Sequence, residues 1–543
     1  MTLQRRHWLA LSILGLALAA SVTSLGNGFA YDDQAIIVGN AQAHSLAGLW
    51  HRFLEPYWPP DRGSGLYRPL TIILFALQWA VGGGTPLVFH LVNVLLYGAL
   101  ALLVFQLALQ LLPEPSAWAA AALFAVHPVH VEAVANGVGQ AELTTALAVV
   151  AAALLYIRWR TAAPSQPLSA PQAAGLCLLY LVACFGKEHG VVLPALLLLA
   201  ELVSVEDPSP GRERLRRLAP FFIVLAFVGV GYLAVRARIL STIPSDIQAL
   251  SLQPLTAMQR GMTALALVPE WLRLLFWPVH LQADYAPLET RMMTAFEPIV
   301  ALGALLLVAL AILAVRRPGA KGVVLFAAGW ITLALLPVSN LLVVSGQILA
   351  ERTMMLASVG AVLVISQLLR LAERPAWASR VVVALLLAGG LAVSALRQPV
   401  WASDESLITR TAADAPRSYW AQWMYGDWLF THGQPAEGER HMRLAVQLYP
   451  DNPYILRILA GRYQDNGFCP AAVPLYQRTL ALRPAWWEVR LRLADCLLAE
   501  GRQPDAAEVI RTGIALGENV KQLIEYQNQR LSARDSTRTP LPR

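Results

Sequence analysis

Uninterrupted apolar runs recur along the first 400 residues and are missing from the rest of the chain. A helix that crosses about 30 Å of hydrocarbon needs roughly 20 mostly apolar residues, and these runs predict about eleven spans. The predicted spans are residues 8–25, 87–111, 115–132, 141–157, 172–186, 190–204, 218–235, 299–315, 322–343, 353–370 and 379–397. We therefore predict an all-α protein whose residues 1–400 form a polytopic membrane helix bundle.

Two shorter apolar segments do not fit this count. Residues 70–81 are too few to span, and residues 258–275 carry Glu270 and Arg273. We predict that both segments lie in the outer interface or pack against the bundle. If residues 258–275 did span, the orientation of every later span would reverse, and the distribution of basic residues disfavours that reversal.

Basic residues between the apolar runs predict the orientation of the bundle. With the N-terminus in the cytoplasm, their clusters fall in the cytoplasmic loops, as the positive-inside rule requires. The residues concerned are Arg158, Arg160, Arg212, Arg214, Arg216, Arg217, Arg316, Arg317, Lys321, Arg370, Arg374 and Arg380. An odd number of spans then places the C-terminal part of the chain outside the cytoplasm.

A period of 34 residues characterises that C-terminal part. Small residues and turn glycines recur at one phase in three blocks, residues 417–450, 451–484 and 485–518. This period is typical of tetratricopeptide repeats, in which each repeat is a helical hairpin. We predict three repeats and a capping helix over residues 417–534, and a flexible tail over residues 535–543. Such a solenoid offers a concave surface to a peptide or protein, and a structural spacer or dimerisation module is the alternative.

Composition and cysteine usage add to this picture. The chain is 56% hydrophobic and 14% charged, whereas soluble proteins carry about 25% charged residues. The net charge of +7 is concentrated in short loops, which indicates membrane topology rather than nucleic-acid binding. The four cysteines show no metal-binding spacing. Cys469 and Cys496 fall in neighbouring repeat helices, and we favour two buried thiols over a disulfide.

Polar residues that are unfavourable at membrane depth collect at the predicted outer ends of the spans. Adjacent Asp32 and Asp33 can carry proton chemistry or merely cap a helix. His127, His130 and Glu132 can hold a divalent metal ion or phosphate oxygens, and histidines bonded to the backbone are the alternative. The remaining candidates are Gln140, Glu142, Lys187, Glu188 and His189, together with Asp284-Tyr285 and Glu351-Arg352, for which an ordinary interfacial anchor or ion pair is the alternative. Their common side favours an enzyme at the membrane surface over a transporter.

The order of these motifs resembles that of the transmembrane and tetratricopeptide-repeat O-mannosyltransferases, over most of the chain. The motifs are Tyr31-Asp32-Asp33, Tyr67-Arg68-Pro69-Leu70-Thr71, Phe89-His90-Leu91-Val92-Asn93, His127-Pro128-Val129-His130-Val131-Glu132-Ala133-Val134, Gly139-Gln140-Ala141-Glu142-Leu143, Lys187-Glu188, Asp284-Tyr285, Ser339-Asn340 and Ala350-Glu351-Arg352. The resemblance implies a C-type glycosyltransferase fold. It also implies a polyprenyl- or dolichyl-phosphate-linked sugar as donor and an active site on the outer face.

The resemblance also implies roles for individual residues. Asp32 would be the general base that deprotonates the acceptor hydroxyl, and Asp33 would support it as a second catalytic residue. The candidate ligands of the leaving phosphate are Arg352, ranked first, with Arg68, Lys187, His127 and His130. The supporting residues are Glu132, Glu142, Gln140, Glu188, Asp284, Tyr285 and Glu351. The only cofactor suggested is a divalent metal ion on His127, His130 and Glu132.

One position departs from the family pattern. The family usually has Gly-Arg-Ala followed by Glu or Asp, whereas this chain has Gly139-Gln140-Ala141-Glu142. If the family arginine binds the phosphate, Gln140 removes a positive charge. Another cation would then substitute, the donor preference would differ, or activity would be reduced. The repeat array is also short for the family.

The sequence thus predicts a glycosyltransferase that moves a sugar from a polyprenyl-phosphate donor to Ser or Thr hydroxyls of exported proteins. Mannose is the sugar that the resemblance implies, and the repeats would bind the acceptor. The alternatives are the same fold acting on an envelope glycolipid or polysaccharide, or a non-catalytic scaffold that presents the repeats. We expect a multi-pass protein of a bacterial inner membrane, with the active site and repeats on the periplasmic or extracellular side. Its expected partners are the lipid-linked sugar, the exported protein and the bilayer, without nucleic acid.

Overall fold

A computed structural model describes residues 3–59, 65–240, 249–316, 321–372 and 375–532. Within these ranges every regular element is helical and no strand forms, which confirms the all-α prediction. Arg317, Arg374 and the predicted tail over residues 535–543 lie outside the described residues.

The chain divides into two compact units. The first comprises Met1–Tyr285 and Thr290–Asp414, and the second comprises Ala286–Glu289 and Ala415–Arg543. The α-helices of the first unit are α1 Leu3–Ser21, α2 Pro69–Gly82, α3 Pro86–Leu111, α4 Glu114–Ala125, α5 Val131–Ala135, α6 Gln140–Ala162, α7 Ala170–Gly186, α8 Leu193–Ser204, α9 Gly211–Leu240, α10 Ala257–Phe276, α11 Pro298–Arg316, α12 Lys321–Leu335, α13 Met355–Leu371, α14 Ala376–Arg397 and α15 Asp404–Asp414. Helix α15 therefore belongs to the first unit, although its composition is that of a soluble segment.

The first unit contains membrane-spanning helices. Among the described residues, six helices are long and apolar enough to cross a membrane, and one bent helix pair makes a seventh candidate. The six are Gln4–Gly26, Pro86–Leu111, Gly137–Ala162, Gly211–Leu240, Glu351–Leu371 and Trp377–Trp401. Shorter apolar helices are Pro69–Gly82, Ala170–Gly186, Pro298–Ile312 and Gly322–Val338. The protein is a multi-pass membrane protein, and the total of about eleven spans stays a prediction.

Two of the predicted spans are interrupted. Residues 115–132 form two helical segments that bend by 45° at His127-Pro128. Proline lacks an amide hydrogen and disfavours the α conformation in the residue before it, so the helix breaks there. The run at 322–343 likewise stops being helical at Val338, after Pro337, and continues as an irregular loop to Ala350.

Helix α10 contains the apolar segment at 258–275 that was not counted as a span. It buries one face, made of Thr263, Ala264, Leu267, Val268, Trp271, Leu274 and Leu275. It is not one of the six described helices that are long and apolar enough to cross a membrane. Burial of a single apolar stripe is the pattern of a helix packed against a bundle.

The second unit is built from helical hairpins. Its helices are α16 Tyr419–Thr431, α17 Pro435–Leu448, α18 Pro453–Asp465, α19 Cys469–Leu482, α20 Trp487–Ala499, α21 Gln503–Ala515 and α22 Val520–Tyr526. The turns of the three hairpins contain Gly433, Gly467 and Gly501, whose φ angles are 79°, 79° and 75°. Only glycine adopts this left-handed conformation without strain, which explains why it recurs at one phase. The assignment of these hairpins as tetratricopeptide repeats stays a prediction.

A disulfide bond joins Cys469 to Cys496, with the Cα atoms 5.1 Å apart. It links the start of α19 to α20, and it corrects our preference for two buried thiols. That preference was wrong because the spacing of two cysteines along the chain does not fix the rotation of their helices about their axes. The remaining cysteines, Cys177 and Cys184, are free.

We expect the Cys469→Ser and Cys496→Ser double variant to unfold at a lower temperature than the unchanged chain. In the chain-entropy model, closing a loop of this sequence separation, 27 residues, stabilises the fold by about 3–4 kcal/mol. Thermal unfolding of the full chain measures the loss, with Cys177→Ser as the matched control. Alkylation of the unfolded, unreduced chain should label only Cys177 and Cys184. Labelling of all cysteines would contradict the bond.

Candidate active site

The loop after α1 presents Asp32 to a cavity of about 740 Å³. The preceding residue, Tyr31, has a left-handed φ of 56°, and its amide donates to Asp404 Oδ1 at 2.6 Å. The Gly28 amide donates to the Ala402 carbonyl at 2.9 Å. A left-handed non-glycine residue persists only where its surroundings impose that conformation. These two contacts therefore hold the loop in the form that places Asp32 at the cavity wall.

Asp33 points away from the cavity. Its buried carboxylate accepts hydrogen bonds from the amides of Gly137, at 3.0 Å, and Val138, at 2.7 Å. Burial raises the pKa of Asp33 to about 7, although donation by these amides acts in the opposite direction. The structure thus gives Asp33 a positioning role, in which it ties the acid-bearing loop to the turn before α6. It does not bring Asp33 to the cavity as a second catalytic group.

Arg352 is the cation nearest to Asp32 within the described ion pairs. Its Nη1 lies 3.6 Å from Asp32 Oδ2 and 3.4 Å from Glu132 Oε1. The Arg352 amide also donates to Glu132 Oε2 at 2.8 Å, and its Nη2 donates to Gln347 at 3.3 Å. Glu132 therefore holds the arginine in its orientation. Burial raises the pKa of Asp32, and the charges of Arg352 and Arg68 oppose the rise without cancelling it.

A second ion pair lines the same cavity. Arg68, just before α2, donates from Nη2 to Glu188 Oε2 at 2.9 Å and from Nε at 3.1 Å. Its guanidinium also lies 5.0 Å from the centre of the Tyr57 ring. Burial alone would raise the pKa of Glu188, but the Arg68 guanidinium outweighs it and holds that pKa at about 2. Glu188 is therefore an ionised carboxylate that keeps Arg68 in place.

Lys187 and Glu142 form a third pair at the cavity wall. Glu142 lies in the first turn of α6, and Lys187 follows the last residue of α7. His189 completes this group, with its Nδ1 3.7 Å from Glu142 Oε2. Residues far apart in the chain thus meet at one end of the bundle, as their common predicted side suggested.

The two histidines of the predicted phosphate site lie elsewhere. His127 Nε2 contacts the carbonyl of Leu275 at 3.1 Å. His130 lies between the hydroxyls of Tyr97, at 2.9 Å, and Ser358, at 2.7 Å. Both rings are buried and neither lines the cavity. The contact of His127 is the one expected of a histidine bonded to the backbone, whereas His130 contacts two side-chain hydroxyls, because the break at Pro128 turns both rings into the bundle.

Metal binding finds no support at this position. Across the described ranges, no group of three His, Cys, Asp or Glu side chains could hold a metal ion. Glu132, the third predicted ligand, is engaged by the amide and guanidinium of Arg352. The nitrogens of His127 and His130 are engaged by neighbouring protein groups. The residues therefore do not fit the suggested divalent ion.

The predicted supporting residues Glu351, Tyr285 and Asp284 lie outside the cavity wall. Glu351 is buried and accepts a hydrogen bond from the Tyr285 hydroxyl at 2.8 Å, and it also accepts from the amide of Gln282. This carboxylate thus fastens the loop at residues 282–285 beside Arg352. Asp284 is partly exposed and acts electrostatically on the Tyr31 side chain.

Gln140, which replaces the family arginine, is fully buried in a cluster of amides. It accepts from Gln78 at 2.7 Å, donates back to Gln78 at 3.3 Å, and donates to Asn93 Oδ1 at 3.2 Å. Asn93 in turn donates to the carbonyl of Asn136 at 2.9 Å. Gln140 does not line the cavity. In this chain the Gln140 side chain therefore stabilises the start of α6 through its bonds to Gln78 and Asn93, away from the cavity.

Several cavity residues were missed by the sequence reasoning. They are Tyr57, Trp58, Tyr232 and Arg236. Arg236 had a usable signal, because it follows the span predicted at 218–235, at the end predicted to be the outer one, where basic residues are uncommon. The aromatic residues had none, since tyrosine and tryptophan are ordinary at a membrane interface. The rest of the wall is largely apolar and includes Val191, Val192, Leu233, Leu333, Leu342 and Val343.

Fold and site together define a multi-pass helical membrane protein with a charged and partly apolar cavity at one end of its helices. The chain is homologous to protein O-mannosyltransferases, which confirms the resemblance carried by its motifs. It is 41% identical over 148 residues to protein O-mannosyl-transferase Tmtc1 of Drosophila melanogaster, covering 26% of this chain and 17% of that protein. No family model matches the chain.

Longer matches occur at lower identity. The chain is 26% identical over 464 residues to human protein O-mannosyl-transferase TMTC4, covering 75% of this chain and 62% of that protein. It is 23% identical over 454 residues to protein O-mannosyl-transferase F38B6.6 of Caenorhabditis elegans, covering 81% of this chain and 62% of that protein. The match therefore spans less than two thirds of the length of each of these curated relatives.

Among solved structures, the chain is similar to the archaeal oligosaccharyltransferase AglB from Archaeoglobus fulgidus in complex with an inhibitory peptide and a dolichol-phosphate. The TM-score is 0.39 at 13% sequence identity, covering 83% of this chain and 60% of that chain. A second structure of the A. fulgidus oligosaccharyltransferase, tethered with an acceptor peptide, gives a TM-score of 0.37 at 13% identity and covers 81% of this chain and 59% of that one.

Proposed function

We propose that the protein is an integral membrane glycosyltransferase that moves a sugar from a polyprenyl-phosphate donor to a Ser or Thr hydroxyl of an exported protein. The observation that carries this proposal is Asp32 at a cavity wall, 3.6 Å from Arg352, in a cavity that also contains Arg68 and Lys187. Mannose is the proposed sugar because the relatives are named as O-mannosyltransferases.

The cavity suits a donor that has one charged and one apolar end. Its cations are Arg68, Lys187, Arg236 and Arg352, and guanidinium groups form charge-assisted hydrogen bonds with phosphate oxygens. The apolar wall favours isoprene units, because contact with it removes them from water. Its residues include Val191, Val192, Leu233, Leu333, Leu342 and Val343. A lipid-linked sugar phosphate therefore matches both parts of the wall.

The proposed reaction uses Asp32 as the general base. The carboxylate takes the proton of the acceptor hydroxyl as that oxygen bonds to the anomeric carbon of the sugar. The bond between this carbon and the phosphate oxygen breaks, and its electron pair leaves with the lipid phosphate. Arg352 and Arg68 stabilise the negative charge that develops on the phosphate. A hydroxyl is a poor nucleophile at neutral pH, and this is why a positioned carboxylate is needed.

Other observations support the proposed membrane side. The Cys469–Cys496 disulfide supports an oxidising compartment for the repeats, because disulfides persist outside the cytosol. The clustering of arginines in the opposite loops supports the same side. We place the repeats and the active site on the periplasmic or extracellular face of a bacterial inner membrane. In this proposal the hairpins over residues 417–534 bind the acceptor protein.

The purified full chain should transfer label from polyprenyl-phosphate [¹⁴C]mannose to exported proteins extracted from the cell envelope. The label is scored separately in protein, lipid and polysaccharide, with Asp32→Asn as the inactive control. Label in protein that depends on Asp32 is the expected result. Asp32-dependent label in lipid or polysaccharide alone would replace the protein acceptor by an envelope glycan. If the unchanged protein and Asp32→Asn both give only background label in all three fractions, the non-catalytic scaffold alternative is favoured.

A further inference from the structure

Buried polar atoms without partners gather around one part of the cavity. Within the described part of the chain, no hydrogen-bond partner is found for the hydroxyls of Tyr57 and Tyr232, Nε1 of Trp58, Oε1 of Glu188 or Nε2 of His189. All five residues line the cavity. Buried polar atoms are nearly always hydrogen-bonded, because removing them from water without a partner is unfavourable. Five such atoms on one wall therefore indicate a ligand that bonds to them.

These atoms lie close together around the Arg68–Glu188 ion pair. Tyr57 is 2% exposed and lies under the Arg68 guanidinium, 5.0 Å away. Tyr232 is 3% exposed, and the charges of Glu188 and Arg68 both act on its hydroxyl. His189 is 4% exposed and follows Glu188 directly in a short 3-10 helix. The group therefore forms one compact pocket, contributed by the segment between α1 and α2, the segment after α7, and α9.

The chemistry of the pocket differs from that of a phosphate site. Ionised phosphate oxygens only accept hydrogen bonds, and ionised Glu188 also only accepts them. The two groups therefore cannot hydrogen-bond to each other. Burial, and then the charge of Lys187, lowers the pKa of His189 to about 3, so its ring is neutral. A neutral imidazole has one donor and one acceptor nitrogen, and Nε2 of His189 is the one without a partner, since Nδ1 lies 3.7 Å from Glu142 Oε2. The tyrosine hydroxyls donate and accept. This mixture matches a polyol, because each of its hydroxyl groups donates as well as accepts.

We propose that Tyr57, Glu188, His189 and Tyr232 bind the hydroxyl groups of the donor's sugar ring and thereby determine which sugar is transferred. This inference rests on the proposed function, since it assigns the sugar-binding part of the same cavity. Arg68 joins this pocket to the other cations, so the pyranose ring lies on the Tyr57 and Tyr232 side. The four residues act as specificity-determining residues, whereas Asp32 and Arg352 act on the reacting atoms.

Hydroxyl deletion on both partners tests the pocket. Polyprenyl-phosphate mannose and its 2-, 3-, 4- and 6-deoxy analogues are compared as donors for the unchanged protein, Tyr57→Phe and Tyr232→Phe. A site that bonds to a substrate hydroxyl strongly rejects the analogue without it, so kcat/KM should fall at least about 100-fold for one deoxy donor. Each Phe variant should lose about 10-fold with mannose itself and nearly all of its discrimination against one particular deoxy donor.

The matched control is Tyr67→Phe. Tyr67 is a buried tyrosine whose hydroxyl donates to the Phe53 carbonyl at 2.8 Å, and it does not line the cavity. Its kcat/KM ratios among the five donors should equal those of the unchanged protein. Ratios that are also unchanged in Tyr57→Phe and Tyr232→Phe, with transfer intact, would overturn the sugar pocket and leave the proposed function standing.

A binding measurement separates the two proposals further. In an Asp32→Asn background, which does not turn over the donor, the Phe variants should bind sugar-free polyprenyl phosphate as tightly as their parent. They should bind polyprenyl-phosphate mannose about 10-fold more weakly than that parent. An equal loss for both lipids would contradict the inference, because the pocket would then bind phosphate. If neither lipid binds to the Asp32→Asn parent and the unchanged protein turns over no donor, the proposed function fails and the sugar pocket with it.

Discussion

Asp32→Asn is expected to lower the rate of sugar transfer by about 10²–10⁴-fold, the range that general-base catalysis contributes. Asparagine has the same shape but cannot take the proton of the acceptor hydroxyl. The Asp32 side chain is 17% exposed at the cavity wall and contacts Arg352 at 3.6 Å, so its replacement should leave the fold intact. Initial rates with saturating donor, together with an unchanged thermal midpoint, are the measurement. A variant that keeps a third of the activity would remove Asp32 from the mechanism.

The pH dependence of the unchanged protein should identify the same group. A general base works deprotonated, so kcat/KM should decrease as the pH falls through the pKa of Asp32. Burial raises that pKa, and the acidic limb should therefore lie above about 3.9, the ordinary value for aspartate. Removing the opposing charge in Arg68→Gln should move the limb to still higher pH. An acidic limb that stays in place in Arg68→Gln would contradict this assignment.

Asp33→Asn provides the contrasting neighbour. Asp33 accepts from two amides and is buried. Asparagine offers one acceptor oxygen and turns its NH₂ toward the other amide, so the main effect should be a lower thermal midpoint with residual transfer. The adjacent carboxylates thus separate into a loss of rate for Asp32 and a loss of stability for Asp33.

The second large effect is expected from Arg352→Lys, which should lower kcat/KM by about 10²–10³-fold, as when one preorganised donor to a developing charge is lost. The Arg352 guanidinium bridges Asp32, Glu132 and Gln347. A lysine ammonium is a single point charge that cannot bridge the same set, so keeping the positive charge should not restore activity.

Arg158→Lys is the matched control for this substitution. Arg158 is exposed, and its Nη2 donates to Gln106. Its replacement should leave kcat/KM unchanged. If Arg352→Lys retains activity within threefold of the unchanged protein, then Arg352 is a structural partner of Glu132 and does not stabilise the transition state. Rates and thermal midpoints of both variants distinguish these outcomes.

The sequence predicted the helical class. It also predicted a set of polar site residues, of which the structure brings Asp32, Arg68, Lys187 and Arg352 to one cavity, but not Asp33, His127 or His130. Unpaired charges beside apolar runs are a strong signal, because lipid does not tolerate them without a function. The direction of Asp33 was not predictable in this way. Consecutive side chains on a helical turn point in different directions, and only the position of the turn before α6 decides which carboxylate meets the cavity.

Gln140 shows a second limit of reasoning from motifs. Replacement of the family arginine suggested that a phosphate-binding charge was lost. The structure instead places the side chain among Gln78 and Asn93, away from the cavity wall. A single sequence reveals that a residue differs from the family, but it does not reveal that Gln78, in another helix, bonds to it. Tyr232 was missed for a related reason, since a tyrosine near the end of a span is ordinary at a membrane interface.

The two contacts that fasten the Asp32 loop also set where the chain can be shortened. The apolar composition ends near residue 400, and a truncation there would remove the Ala402 carbonyl and the Asp404 carboxylate that hold Gly28 and Tyr31. We expect such a fragment to be inactive, because the loop that carries Asp32 would lose both contacts, whatever the hairpins contribute to acceptor binding. A fragment ending at Asp414, the last residue of the first unit, retains both anchors. An experiment that tests the activity of the first unit without the hairpins should therefore use the fragment that ends at Asp414.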